Sequence, residues 1–254
     1  MATFDSGGLT IAYDDIAGET GRPMFLIHGF SSNRTENWRR LGWYGAFERK
    51  RIRAVAMDCR GHGESAKPHE PSAYGRAAMA GDLHALADHL QISRFHVMGY
   101  SMGARIAIAA ALMKPERIAT LTVGGVGGKL FDRPTVTGNP MAEAMEAADP
   151  ESVSDPMLRS FRRFADEQGE DRLALAAFTR SGDRPIERDE LKSLKVPVLV
   201  VAGANDELAG DPEDLAKVFP DARAVTIPGC DHFSAIPHAL YKATVFDFLD
   251  GTLP

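Results

Sequence analysis

A serine, an aspartate and a histidine, the residue types that together activate an alcohol, each follow a short apolar run in this 254-residue sequence. A serine hydroxyl is a weak nucleophile at neutral pH. It needs an imidazole within hydrogen-bond reach to take its proton, and the imidazole needs a carboxylate to fix its tautomer and stabilise its charged form. Ser101 is the candidate alcohol. It stands in Gly99-Tyr100-Ser101-Met102-Gly103, between the β-like run Phe95–Met98 and an Ala/Ile/Leu-rich helical segment that Pro115 stops. A strand-to-helix turn this tight needs small residues two places either side of the serine, and it lifts the hydroxyl above the sheet edge. The N–H groups and dipole at the helix start favour negative charge at that point. The competing role is a serine that merely caps the helix.

The partners occur downstream in the order Ser, Asp, His. The run Val198–Ala202 delivers Gly203-Ala204-Asn205-Asp206, and the run Ala222–Ile227 delivers Pro228-Gly229-Cys230-Asp231-His232. His232 is the candidate base and Asp206 its orienting acid. Asp231 and Glu207 are rivals; Asp231 adjoins His232, and adjacent side chains rarely face each other in a turn. An oxyanion needs two backbone donors. Met102, after the serine, supplies one N–H, and Phe30, in the loop after His28-Gly29, supplies the other.

These loops must be held by a sheet. Leu9–Tyr13, Met24–Ile27, Ile52–Met57, Phe95–Met98, Ile118–Val123, Val198–Ala202 and Ala222–Ile227 read as strands. Trp38–Lys50, Tyr74–Leu90, Asp214–Phe219 and Pro237–Leu249 read as helices between or after them, Leu83, Leu86, Ala87 and Leu90 falling on one helical face. The alternation implies an α/β fold with a mostly parallel sheet covered on both faces. From 124 to 190 the strands stop and helical pieces follow (Pro140–Ala148, Asp155–Gln168, Asp171–Thr179), so 124–190 reads as a helical lid inserted into a core of 1–123 and 191–254.

The motifs His28-Gly29-Phe30, Asp58-Cys59-Arg60-Gly61-His62-Gly63-Glu64-Ser65, Gly99 to Gly103, Gly203 to Asp206 and Gly229 to His232 resemble those of α/β-hydrolase-fold serine hydrolases, the esterase, haloperoxidase-like and carbon–carbon bond hydrolase group. The resemblance implies an acyl-enzyme mechanism with no metal and no organic cofactor, acting on a small to medium carboxylic ester. Lactones, carbon–carbon bonds of diketones and peracid formation are alternative substrates and reactions for the same triad, and a slow-turnover ligand receptor ranks third. Dehalogenases and epoxide hydrolases of this fold carry a carboxylate where Ser101 stands. Carbon–carbon bond hydrolases often have Trp at the place of Phe233, and haloperoxidase-like members Trp at the place of Phe30.

His28 and His62 read as hydrogen-bonded turn residues, and Asp58 to Ser65 as a structural turn with no phosphate-binding G-K-[ST] after it. The lid arginines (Arg159, Arg162, Arg163, Arg172, Arg180, Arg184 and Arg188) alternate with acids and read as an ion-paired surface. Phe131, Met141, Met145, Met157, Phe161, Phe164 and Phe178 either line an acyl pocket or dock the lid. A net charge of −6 argues against a nucleic-acid partner, and no run reaches the length of a membrane span. Met1–Leu9 has neither a basic nor an apolar leader pattern, and the two cysteines, Cys59 and Cys230, lack C-x-x-C spacing, so a reduced, cytoplasmic protein is expected. A homo-oligomer is left open.

Overall fold

Near-continuous runs of Val, Ile, Leu and Met suit strands buried on both faces, and here they pair into one sheet. The computed structural model describes residues 1–132 and 138–253; residues 133–137, inside the expected lid, and Pro254 lie outside it. The strands are β1 Ala2–Ser6, β2 Leu9–Ile16, β3 Thr20–Ile27, β4 Ile52–Met57, β5 Phe95–Tyr100, β6 Ile118–Gly124, β7 Val198–Gly203 and β8 Ala222–Ile227. They form an eight-stranded sheet in the order β1-β2-β4-β3-β5-β6-β7-β8. β1 and β2 are antiparallel to each other and β2 to β4; every other pair is parallel. The order reverses at β3, whose neighbours are β4 and β5, so a crevice opens where the C-terminal ends of β3 and β5 diverge.

Helices α2 (Arg76–His89) and α3 (Met102–Met113) cover one face. Leu83, Leu86 and Ala87 of α2 are buried there as the spacing requires, and Ala104, Ala107, Ala110 and Ala111 of α3 are fully buried, their small side chains letting the helix lie close to the strands. Helices α1 (Trp43–Arg49) and α9 (Ala239–Leu249) cover the other face, where Trp43, Phe47, Tyr241 and Phe246 pack edge-to-face or stacked. β8 is a half-exposed edge strand paired only with β7.

Several boundaries differ from the sequence reading, and three have a plain cause. β1 pairs by the turn at Gly7 and Gly8, both left-handed, and extends the sheet beyond the expected strands. The helix expected over Trp38–Lys50 is two pieces, a π-helical turn Thr35–Arg40 and then α1, because Gly42 takes φ 77° and breaks the run. The helix expected over Asp214–Phe219 is α8, Pro212–Ala216, fixed two residues earlier by Asp211, whose Oδ1 accepts from the Glu213 N–H, and by Pro212 at the first turn.

Between β6 and β7 the described residues contain no strand. They form α4 (Pro140–Glu146), α5 (Pro156–Gln168), α6 (Arg172–Thr179) and α7 (Arg188–Leu191). Asn139, Asp155 and Asp171 cap α4, α5 and α6 with side-chain oxygens, which is why each helix starts where it does. Met145, Phe161, Ala165 and Leu175 bury one another between these helices. Most of the arginines expected at the surface are ion-paired there: Arg163 with Glu151, Arg180 with Glu146, Arg184 with Glu190. Arg162 is a correction: it is buried, pairs with Asp166 and donates with Arg172 to the Ala147 carbonyl, closing the end of α4. No helix among the described residues is long and apolar enough to cross a membrane.

Candidate active site

Ser101 sits at the point of the turn between β5 and α3 with φ 53° and ψ −111°, a left-handed conformation that costs a side-chain-bearing residue roughly 1–3 kcal/mol. The surroundings enforce it. A Cβ on Gly99 would lie 2.1 Å from the Gly103 carbonyl oxygen, and one on Gly103 would lie 2.1 Å from the Ile27 carbonyl oxygen. Both glycines are therefore required by close backbone approach. The Ser101 N–H donates to the Gly124 carbonyl (2.8 Å), tying the turn to the end of β6. The Ser101 side chain makes no capping bond to α3, so the capping role does not describe it.

The hydroxyl oxygen instead lies 3.0 Å from His232 Nε2. His232 Nδ1 is 2.8 Å from Asp206 Oδ2, and both residues are buried. The other Asp206 oxygen accepts from the N–H groups of Leu208 and Ala209, each at 3.0 Å, which leaves Oδ2 to face the ring. The loops that carry the acid and the histidine are stitched together: Asn205 N–H donates to the Cys230 carbonyl (2.8 Å), and a Cβ on Gly203 would meet that same carbonyl at 2.2 Å. Asp231 is exposed, and its Oδ1 accepts from Phe233 N–H, Ser234 N–H and the Ser234 hydroxyl. These hydrogen bonds hold its carboxyl below the usual range and keep it in its own turn. Glu207 is not the acid at the ring either. Of the three acids weighed, Asp206 is the one brought to His232.

The loop after β3 passes against the serine. A Cβ built on Gly29 would fall 3.6 Å from the Ser101 Cβ. Phe30 is next in that loop, and Met102 is the first residue of α3, whose N–H has no acceptor within its own helix. Both expected donors therefore adjoin backbone at the turn, Met102 following Ser101 and Phe30 following Gly29. Asn37, not singled out in the sequence, accepts from the Gly29 N–H (3.1 Å) and fixes this approach. Tyr100 was also missed. Its phenol donates to the His232 carbonyl (2.6 Å), and burial pushes its pKa well up, so it remains a neutral donor. Neither residue carries a sequence signal beyond its neighbours.

The two turn histidines do what was expected of them. His28 is fully buried; Nδ1 donates to its neighbour's carbonyl (2.8 Å) and Nε2 accepts from the Cys59 N–H (2.9 Å). Burial pushes its pKa down, so it is neutral. Asp58 organises the turn around it, accepting from the N–H groups of Arg34 (2.7 Å) and Glu64 (2.8 Å) and pairing with the Arg34 guanidinium. Arg60 forks onto Asp82 of α2 at 2.7 and 2.6 Å. The Asp58 to Ser65 segment is a structural turn.

A cavity of about 170 Å³ opens over Ser101 and His232. Phe161 and Phe164 from α5 line it, two of the seven apolar residues expected in the lid. Phe131 and Phe178 instead dock on the core, Phe178 stacking on Phe30 with ring centroids 5.7 Å apart, and Met145 is buried within the lid. Glu170, beyond the end of α5, reaches down to accept from Asn33 Nδ2 (3.0 Å) and the Gly63 N–H (2.8 Å), which pins the helices over the crevice.

Residues 24–242 match the sequence model of the alpha/beta hydrolase family. The chain belongs to that family. The dihydrolipoyllysine-residue acetyltransferase component of the acetoin cleaving system of Pseudomonas putida is 32% identical over 248 residues, 89% of this chain but only 62% of that protein, so the chain spans less than two thirds of this relative. The 2-hydroxymuconate semialdehyde hydrolase of Pseudomonas sp. (strain CF600) is 28% identical over 227 residues, 89% of this chain and 68% of the relative. The crystal structure of the enol-lactonase from Burkholderia xenovorans LB400 superposes with a TM-score of 0.80 at 23% identity, covering 98% of this chain and all of that one, a likeness of fold. In this alpha/beta hydrolase the crevice at the order reversal of the sheet and the loops after β3, β5, β7 and β8 coincide.

Proposed function

We propose that this alpha/beta hydrolase is a serine hydrolase that cleaves small to medium carboxylic esters through an acyl-enzyme. Ser101 attacks the carbonyl carbon. His232 takes the hydroxyl proton and returns it to the leaving alcohol, then activates the water that releases the acid. Asp206 orients the ring and stabilises its protonated form. The backbone N–H groups of Phe30 and Met102 hold the oxyanion. Residues 124–190 serve as the lid that shields the acyl-enzyme from bulk water. The observation that carries this reading is the continuous run from Asp206 Oδ2 through His232 to Ser101 Oγ, at 2.8 and 3.0 Å, ending on a strained turn. The apolar cavity over the hydroxyl supports an uncharged ester, and the two buried free cysteines support a reducing, cytoplasmic setting.

The test is turnover of a 4-nitrophenyl ester by the wild type and by Ser101→Ala, with covalent labelling by a fluorophosphonate. Labelling and turnover both vanish in the variant if Ser101 is the nucleophile. Wild-type-like turnover by Ser101→Ala refutes the role. A second reading, carbon–carbon bond hydrolysis by the same triad, is supported by the named semialdehyde hydrolase relative. Turnover of a vinylogous diketone at a rate above that of matched esters would favour it.

A further inference from the structure

The walls of the cavity over Ser101 are largely aromatic or aliphatic; the polar parts are Ser32, the Ser101–His232 pair and one turn. Phe30, Phe161, Phe164, Phe233 and Ile236 supply the apolar surface, and among the described lining residues there is no Lys or Arg. The π-helical turn contributes Glu36, with Asn37 and Leu41 beside it. Its side chain is 19% exposed and its carboxylate pairs with Arg40 (2.7 Å), which does not line the cavity and whose side chain is 65% exposed. The other nearby cations are already matched with acids: Arg39 with Asp14, and Arg34 with Asp14, Asp58 and Glu64. Glu36 is therefore a negative charge set into an otherwise uncharged aromatic wall, offset only by a solvated partner. A pair with one solvated partner is weak, so the Glu36 charge is offset only in part.

We propose that this cavity selects substrates by charge, admitting uncharged or cationic esters and rejecting those that carry a second carboxylate, with Glu36 as the residue that sets the selection. This rests on the reading of the cavity as the substrate site beside Ser101. A carboxylate entering it loses hydration, finds no cation in the walls and faces a like charge. An ammonium finds that charge together with the faces of aromatic rings, the surroundings in which cations are held. The positive poles are the α3 N-terminus and, once it has taken the serine proton, the His232 ring, and both serve the reacting centre.

Two measurements test this. In the first, kcat/KM is compared for 4-nitrophenyl pentanoate, the 4-nitrophenyl monoester of glutarate and 4-nitrophenyl 4-(trimethylammonio)butanoate. In the second, calorimetry compares binding of 3-phenylpropanamide, 3-phenylpropanoate and 3-phenylpropylammonium to the wild type and to the Glu36→Gln and Arg40→Ala variants, which needs no turnover. The anionic member of each set is expected to be disfavoured by roughly tenfold or more against the neutral one, the size of a single partly screened like-charge contact. Glu36→Gln should shrink that ratio, and Arg40→Ala, which strips the carboxylate of its partner, should widen it. An anion bound or turned over as well as its neutral analogue overturns the proposal. So does a Glu36→Gln ratio within about twofold of the wild type in both measurements, since removing a charge that mattered must move it further. If no ester is hydrolysed while the binding order holds, the nucleophile assignment fails and the charge selection stands.

Discussion

The phenol of Tyr100 donates to the backbone carbonyl of His232 over 2.6 Å, so the residue before the candidate nucleophile holds the main chain of the candidate base. The two ends of the reacting pair are thus fixed to each other by a bond outside the pair. Tyr100→Phe removes the donor and leaves a buried carbonyl unpartnered, at a cost of about 1–3 kcal/mol. It also frees the ring to drift, and kcat should fall by up to about 10²-fold with KM little changed. Urea unfolding and ester kinetics on the one variant check both effects.

Asp206 and Asp231 provide a paired comparison. Asp206→Asn presents an amide to His232 Nδ1 and favours the wrong tautomer, which lowers kcat by about 10⁴-fold when a buried orienting acid is changed this way. Asp231→Asn, on the exposed turn, should leave kcat near the wild type and change stability by no more than about 1 kcal/mol through its turn bonds. Reversed outcomes would move the orienting role to Asp231.

The strained turn has a signature in stability. Ser101→Gly and Ser101→Ala should both lose turnover, but only glycine adopts φ 53°, ψ −111° without penalty. After the greater entropy of an unfolded glycine is allowed for, Ser101→Gly should be the more stable of the two by about 1 kcal/mol. Equal unfolding midpoints would remove strain from the account.

Much of this geometry could be read before any fold was known, and the reason differs by residue. The Gly99 and Gly103 spacing was legible because the turn's sterics forbid any Cβ there. Asp206 and His232 were legible because each follows an apolar run long enough only for a strand. Tyr100, Asn37, Glu36 and Glu170 were not. Tyr100 and Glu170 act through contacts between segments distant in the chain, and Asn37 and Glu36 matter through the loop or cavity that folding sets beside them, which no periodicity encodes. The break at Gly42 was missed because the residues on both sides, Trp38 and Trp43 among them, are equally buried, and hydrophobic pattern alone runs straight through it. The burial of Arg162 was missed for the converse reason: composition marks the lid as charged, and only packing shows which guanidinium turns inward.

Glu170 fastens the helices between β6 and β7 to two loops of the sheet at once. Glu170→Ala strands the Asn33 amide and the Gly63 N–H, and those helices should loosen at a cost of about 1–3 kcal/mol. Limited proteolysis should then cut within the α4–α6 segment faster than in the wild type, while the sheet keeps its protection.

Acid should destabilise the fold through its histidines. Burial pushes His28, His62 and His84 below their ordinary values and, with Arg22 and Arg94 nearby, brings His96 to about 4. In the unfolded chain these rings protonate near 6.5, so below about pH 6.5 the unfolded state binds more protons and stability falls as the pH drops, by up to about 1.4 kcal/mol per unit for each ring. Burial raises the Glu170 carboxyl, which acts in the opposite direction by favouring the folded state as that group protonates. Four rings outweigh one carboxyl, and urea midpoints at pH 7.5 and 5.5 should show the lower value in acid.

His232 is presented by the loop that leaves β8, and β8 has one pairing partner and a half-exposed flank. Marginal strands open first when a protein fluctuates. The candidate base is consequently carried by an open edge of the sheet. Mild heat or dilute denaturant should silence turnover while the circular dichroism of the remaining layers is unaltered, and cooling should restore it without any refolding lag.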